Sequence, residues 1–161
     1  MSTPQPPPPL PRAALRLGFL ALAPMAISAL VSLYAGHSGT AHFGIVAFAV
    51  YCAALLSFLG GIRCGMEILR APHGPNPLRL VFSALPALAG WALTLFVLLI
   101  PGAIGAAAGF AGLFAAQYVW DQHSARDAGA PEWYPALRQV LTGGTMIICL
   151  LIPLAAAIRG F

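Results

Sequence analysis

The chain has 161 residues, of which 60% are hydrophobic and only 7% are charged, and its formal net charge is +4 at pH 7. A soluble domain carries about 25% charged residues, so this composition excludes a soluble globular protein and indicates a polytopic membrane protein. The basic residues are all arginines that stand singly near the ends of apolar runs, which excludes a nucleic-acid partner.

The chain opens with a proline-rich segment, residues 1–11, that has too little apolar content to fold. We predict a disordered tail there. The first predicted span covers about residues 14–35, and its apolar run, Leu17 to Ala35, follows Arg12 and Arg16. This apolar run is longer than that of a usual signal peptide, so we interpret it as a retained span. A short turn is predicted over residues 36–41.

The second predicted span covers about residues 43–66, and its helix continues to Leu69. Small side chains recur in it every four residues, a spacing that forms a ridge along one helix face. Such ridges allow another helix to approach closely inside a bilayer. The ridge on this span consists of Ala53, Ser57, Gly61 and Gly65, preceded by Ala49.

Residues 80–119 contain no charged side chain over a length of forty residues. One span needs about twenty, so this stretch predicts two spans, at about 78–100 and 103–121, with a corner at Pro101 and Gly102. The fourth span has its own ridge of Gly105, Gly109 and Gly112. We predict that this ridge pairs with the ridge on the second span. A polar stretch over 121–134 precedes the fifth span, at about 137–158.

The predicted fold is therefore an all-α bundle of five transmembrane helices. Its orientation follows from the arginines, since cytoplasmic loops are enriched in basic residues. With the N-terminus inside and the C-terminus outside, seven arginines lie on the inner side and only Arg159 lies on the outer side.

The candidate site is a group of polar and aromatic residues at the predicted inner face: Arg63, Glu67, Asp121, Trp133, Tyr134 and Arg138. Two interpretations remain open. In the first, Arg63 extends to the headgroups and Glu67 pairs with Arg63 or Arg70 on its own helix. In the second, the charged residues form a cluster that binds an anionic headgroup or ligand. The row containing Arg63 and Glu67 is opposite Gly61 and Gly65, so either both faces of the second span are packed or this row faces lipid headgroups.

Nothing in the sequence indicates catalysis, a cofactor or a metal site. There is no Ser-His-Asp set, no phosphate-binding loop and no HExxH motif, and the three cysteines have no CxxC spacing. No histidine lies at mid-membrane depth to hold a haem, and no acid or base lies there to carry a proton. We therefore expect a protein that is not an enzyme.

Two segments resemble one known family. The segment Ser57-Phe-Leu-Gly-Gly-Ile-Arg63, with Gly65, resembles the hallmark of the domain of unknown function 3429 family. The later run with Asp121, Pro131, Trp133-Tyr134, Leu137-Arg138 and Leu141-Thr142 is also similar. The resemblance implies a small five-span protein of the bacterial inner membrane, with relatives in mitochondria, and it brings no established activity or catalytic residue.

The leading functional hypothesis is a non-enzymatic scaffold or assembly partner. It would bind another membrane protein or an anionic lipid through its inner face, in addition to the surrounding bilayer. The alternative is a small transporter or carrier of an apolar or anionic ligand. A deep cavity between spans favours the carrier, and a solid bundle with a hydrated charge cluster favours the scaffold.

Overall fold

The structure is a computed structural model that describes residues 10–34, 38–70, 74–100, 105–127 and 130–159. Within those ranges the chain forms α-helices and no strands, which confirms the all-α class. The helices are α1 (Arg12–Tyr34), α2 (Ser38–Arg70), α3 (Pro77–Leu99), α4 (Ala106–Asp127) and α5 (Tyr134–Arg159).

Four of these helices are long and apolar enough to cross a membrane: α1, Gly39–Leu69 of α2, α3, and Tyr134–Leu154 of α5. The described part of α4 is not among them, since its last turns carry Asp121, Gln122 and His123. The membrane class is therefore supported. The fifth crossing and the orientation of the termini stay predictions.

The helix ends agree with the local sequence signals. Asn76 caps α3, because its side-chain oxygen accepts a hydrogen bond from the Leu78 N–H at 3.0 Å, and Pro77 opens the helix. Helix α2 already begins at Ser38, so the predicted turn over 36–41 is too long. The corner at 101–102 and the tail over 1–9 lie outside the described residues.

Helix α2 lies at the centre of the bundle and contacts α1, α3 and α4, while α5 packs on α4 and α1. The core lies near the middle of α2. There Phe48 meets Phe110 of α4 edge to face, with ring centroids 6.1 Å apart. Cys52 of α2 and Cys149 of α5 are fully buried in the same core.

The small-residue ridge of α2 is buried only in its first half. Ala53 lies against Gly90 of α3, where an added Cβ would come within 3.1 Å of the Ala53 Cα. The other close approach to α3 is made by Gly60, whose Cβ would collide with the Ser83 carbonyl oxygen. At Gly61 and Gly65 an added Cβ would meet nothing within 4 Å.

The predicted pairing of the ridges on α2 and α4 is thus wrong at these positions. On α4, Gly105 and Gly112 also face open space, and Gly109 approaches Leu93 of α3 rather than α2. The reason lies on α2, where Arg63 is buried among neighbouring helices. Since Gly61 lies two residues before Arg63, about 200° around the helix, burial of Arg63 turns Gly61 outward.

Candidate functional site

One carboxylate joins three helices near one end of the bundle. Asp121 of α4 lies between Arg63 of α2 and Arg138 of α5. The Arg63 Nε lies 3.0 Å from Oδ1 of Asp121, and the Arg138 Nε donates to Oδ2 at 2.9 Å. Each carboxylate oxygen therefore has an arginine of its own. We call Arg63, Asp121 and Arg138 the ion triad, and the end of the bundle where it lies the triad end.

All three residues of the ion triad are buried: Arg63 and Arg138 are each 7% exposed, and Asp121 is 4% exposed. Charges in such a place are stable only when each has a partner in good geometry. Two guanidinium groups face one carboxylate, so the triad keeps one positive charge in excess.

Other side chains complete the surroundings of the triad. Gln117, one turn before Asp121 on α4, donates from Nε2 to the same Oδ1 at 3.4 Å. The guanidinium carbon of Arg63 lies 4.5 Å from the ring centroid of Trp120, a cation–π contact. Trp120 in turn packs on Phe82 of α3, with ring centroids 5.3 Å apart. Through these rings α3 is also connected to the triad.

A second nitrogen of Arg138, Nη2, also approaches the carboxylate of Asp121. Nη2 lies 2.6 Å from Oδ2, which is a close charge contact. Its N–H bonds are not aligned with an acceptor, and it is buried without a hydrogen bond. Because Nη2 is itself inaccessible, its electrostatic partner in the described structure is the Asp121 carboxylate.

Glu67 belongs to a separate contact between α2 and α3. Its carboxylate lies 3.6 Å from Nη1 of Arg79, and it accepts a hydrogen bond from the Asn76 N–H at 3.2 Å. The Arg79 side chain is 48% exposed, so this ion pair contributes little stability. Sequence reasoning missed Arg79 as the partner, and the side chain of Arg70 lies outside the described part of the structure.

The two aromatic candidates lie where α5 begins. Trp133 and Tyr134 pack edge to face, with ring centroids 6.3 Å apart. Tyr134 is half-buried and lies within electrostatic range of the ion triad. Trp133 is placed beside Tyr134 and not against the triad carboxylate. Of the six candidate residues, the structure thus brings together three in the triad and one, Tyr134, beside it.

A cavity of about 360 Å³ adjoins the ion triad. Helices α1, α2 and α5 form its walls, and Phe114 of α4 lies at its base. Arg138 and Tyr134 are among the few polar residues in a lining that is otherwise mostly aliphatic or aromatic. Ridge patterns gave no indication of this cavity, since its lining comes from four different helices.

The structure decides between the two interpretations of Arg63. An arginine that extends to the headgroups would be exposed, whereas Arg63 is 7% exposed and paired with a residue on another helix. The first interpretation is therefore wrong for Arg63. The side of α2 that carries Arg63 faces the bundle interior, and Gly61 and Gly65 have open space beside them. Within the described ranges, no group of three or more His, Cys, Asp or Glu side chains could hold a metal ion.

Apolar helices of spanning length, joined by a buried ion triad, define a multi-pass membrane protein. Residues 10–155 match the model of the family described as "Protein of unknown function (DUF3429)", and the chain belongs to this family. It is also similar to Transmembrane protein 69 of Xenopus tropicalis, with 34% identity over an alignment of 143 residues. That alignment covers 82% of this chain and 50% of the relative, so the chain spans about half the length of the curated relative it matches. No solved structure gives a significant match.

Proposed function

We propose that this protein is a non-enzymatic scaffold that holds another membrane protein at its inner face. The observation that carries the proposal is the ion triad, which joins α2, α4 and α5 through one buried carboxylate. Its charged groups are already engaged with one another and are buried from solvent. Such an arrangement fixes the relative positions of helices, which is what a scaffold requires.

The surface offered to a partner lies on the outward face of α2 beside the triad. Ser57 and Gly61 are exposed there, and Gly65 has open space around it. Small side chains on a lipid-facing surface let a second transmembrane helix come close. Because burial of Arg63 sets the rotation of α2, the ion triad determines that this surface faces outward. The partner that fits is a transmembrane helix of another protein.

The proposal includes five spans, an inner N-terminus and an outer C-terminus, in a bacterial inner membrane. The excess of arginines on one side supports the orientation. Adding single cysteines by Ser2→Cys and by Phe161→Cys, with the wild-type chain as background, tests it with an impermeant thiol reagent on intact cells. We expect labelling only of the Phe161→Cys variant. Labelling of both positions, or of neither, would contradict an odd number of crossings.

Quantitative affinity purification after cross-linking in native membranes tests the scaffold role. We expect a defined membrane protein to be enriched with the wild-type chain, and its recovery to fall at least tenfold for Gly61→Val. Gly39→Val is the matched control, since Gly39 is also exposed with open space but lies at the other end of α2. Equal recovery with both variants would contradict the proposed surface, and no enriched protein at all would overturn the scaffold role.

A second candidate, a carrier of an apolar or anionic ligand, is favoured by one observation, the cavity of about 360 Å³. Binding pockets for small molecules have volumes of about 300–1,000 Å³, so the cavity is large enough. A carrier would move its ligand without a stable protein partner. Ligand flux into vesicles containing the purified chain alone would therefore support the carrier, and a partner recovered in stoichiometric amount would support the scaffold.

A further inference from the structure

The cavity next to the ion triad runs along the bundle from the triad end toward its middle. On α5 its lining extends from Tyr134 to Thr145, a separation that corresponds to about 16 Å along a helix. On α1 it extends from Ala14 to Leu22. Half of a bilayer's hydrocarbon core is about 15 Å thick. The cavity therefore has the length of one acyl chain of a single leaflet.

The cavity is open to the outer surface of the bundle. Two of its lining residues are strongly exposed: Leu17 of α1 is 69% exposed and Phe58 of α2 is 65% exposed. Deeper lining residues such as Phe114 are buried. A chain could thus enter from the surrounding lipid without passing through the bundle. In a bilayer, the molecules in contact with such an opening are phospholipids.

The arginines at the triad end of the cavity favour a phospholipid with an anionic headgroup. Arg138 forms part of the cavity wall at the triad end and is 7% exposed. The ion triad carries one positive charge in excess, which complements one anionic headgroup. Arg12 and Arg16, both exposed, flank Ala14 on α1 at the same end of the cavity. Charge-assisted hydrogen bonds to phosphate oxygens are characteristic of arginine.

We propose that this cavity binds one acyl chain of an anionic phospholipid, whose phosphate lies at the triad end of the cavity near Arg12, Arg16 and Arg138. The second acyl chain remains in the bilayer outside Leu17 and Phe58. The bound lipid fills the space between α1, α2 and α5. This lipid site goes beyond the scaffold role and does not depend on it, since the outward face of α2 at Gly61 is not part of the cavity lining.

The test uses the full chain, delipidated in detergent and titrated with phosphatidylglycerol or with phosphatidylcholine of identical acyl chains, with bound lipid counted by native mass spectrometry. We expect one phosphatidylglycerol per chain and at least tenfold weaker binding of phosphatidylcholine. Equal affinity for the two lipids would overturn the role of Arg138 and the triad charge. This comparison needs no variant, so it holds even where a substitution disturbs folding.

Two substitutions on adjacent residues locate the site. Ala14 lines the cavity, so Ala14→Phe should fill its triad end and lower phosphatidylglycerol affinity at least tenfold. Ala13 is exposed and does not line the cavity, so Ala13→Phe should bind like the wild type. Equal affinity of Ala14→Phe and the wild type would overturn the site. Partner recovery is measured separately. If no partner is recovered while the lipid still binds, the scaffold proposal alone is overturned. If a partner is recovered but the lipid does not bind, only the lipid site is overturned.

Discussion

Replacing Asp121 with leucine is expected to lower the free energy of unfolding by about 3–5 kcal/mol, the usual cost of removing one partner from a buried ion pair. The substitution leaves the guanidinium groups of Arg63 and Arg138 buried without the carboxylate that each contacts. It also removes the acceptor of Gln117. Reversible unfolding in mixed detergent micelles, followed by circular dichroism, measures the loss.

Glu67→Leu is the matched control for this prediction. It removes a carboxylate of similar chemistry from an ion pair between α2 and α3, but its partner Arg79 is 48% exposed. Exposed ion pairs contribute about 0–1 kcal/mol, so the control should lose at most about 1 kcal/mol. Comparable losses in the two variants would mean that the ion triad has no special role in holding the bundle together.

A second large loss of stability is expected when Gly60 is replaced by alanine. An alanine Cβ there would collide with the Ser83 carbonyl oxygen, a backbone atom that cannot turn away as a side chain would. Helices α2 and α3 must then separate, and overpacking of this kind typically costs about 1–3 kcal/mol. Gly60→Ala should therefore lower the free energy of unfolding by about this amount, even though alanine favours helix more than glycine does.

Gly61→Ala tests the same reasoning from the neighbouring residue. An added Cβ at Gly61 meets nothing within 4 Å, so only the gain in helix propensity remains. We expect unchanged or slightly higher stability, measured by the same unfolding titration. If Gly61→Ala were the more damaging of the two substitutions, α2 would be rotated relative to the structure described here.

The helices could be predicted from sequence because their signals are local. The uncharged stretch over 80–119 is too long for one span, and α3 and α4 flank the expected corner, ending at Leu99 and beginning at Ala106. Clusters of proline and glycine end helices, whereas the single prolines Pro24, Pro86 and Pro153 lie inside helices. This is why the predicted spans and the observed helices overlap closely.

The rotation of each helix could not be predicted in the same way. The ridge spacing on α2 favoured Gly61 and Gly65 as the packing face, whereas Gly60 makes the close contact with α3. Within the chain, the pairing of Arg63 with Asp121 decides the outcome, and that pair joins residues 58 positions apart. A helical wheel contains no information about a partner on another helix.

The candidate site could be predicted only in part, because pairing between residues on different helices is not visible in the sequence. Arg63, Asp121 and Arg138 stood out because charges within or beside spans are costly and need partners. Which charges pair depends on how the helices pack, so the contact of Glu67 with Arg79 was missed and Arg63 pairs with Asp121 instead of Glu67. Gln117 was missed although it gave a signal, since it is a strongly polar residue inside a predicted span and lies one turn before Asp121.

Whether the ion triad stabilises the bundle through mutual pairing is tested by replacing all three residues at once, in a chain carrying Arg63→Met, Asp121→Leu and Arg138→Met. If the triad stabilises the bundle by mutual pairing, Asp121→Leu alone costs several kcal/mol because it leaves two buried guanidinium groups unpaired, yet the triple variant should unfold within about 1 kcal/mol of the wild type. Apolar side chains of similar size leave no charge unpaired. A triple variant whose loss equals the sum of the three single losses would contradict the account, because residues that act independently have additive effects.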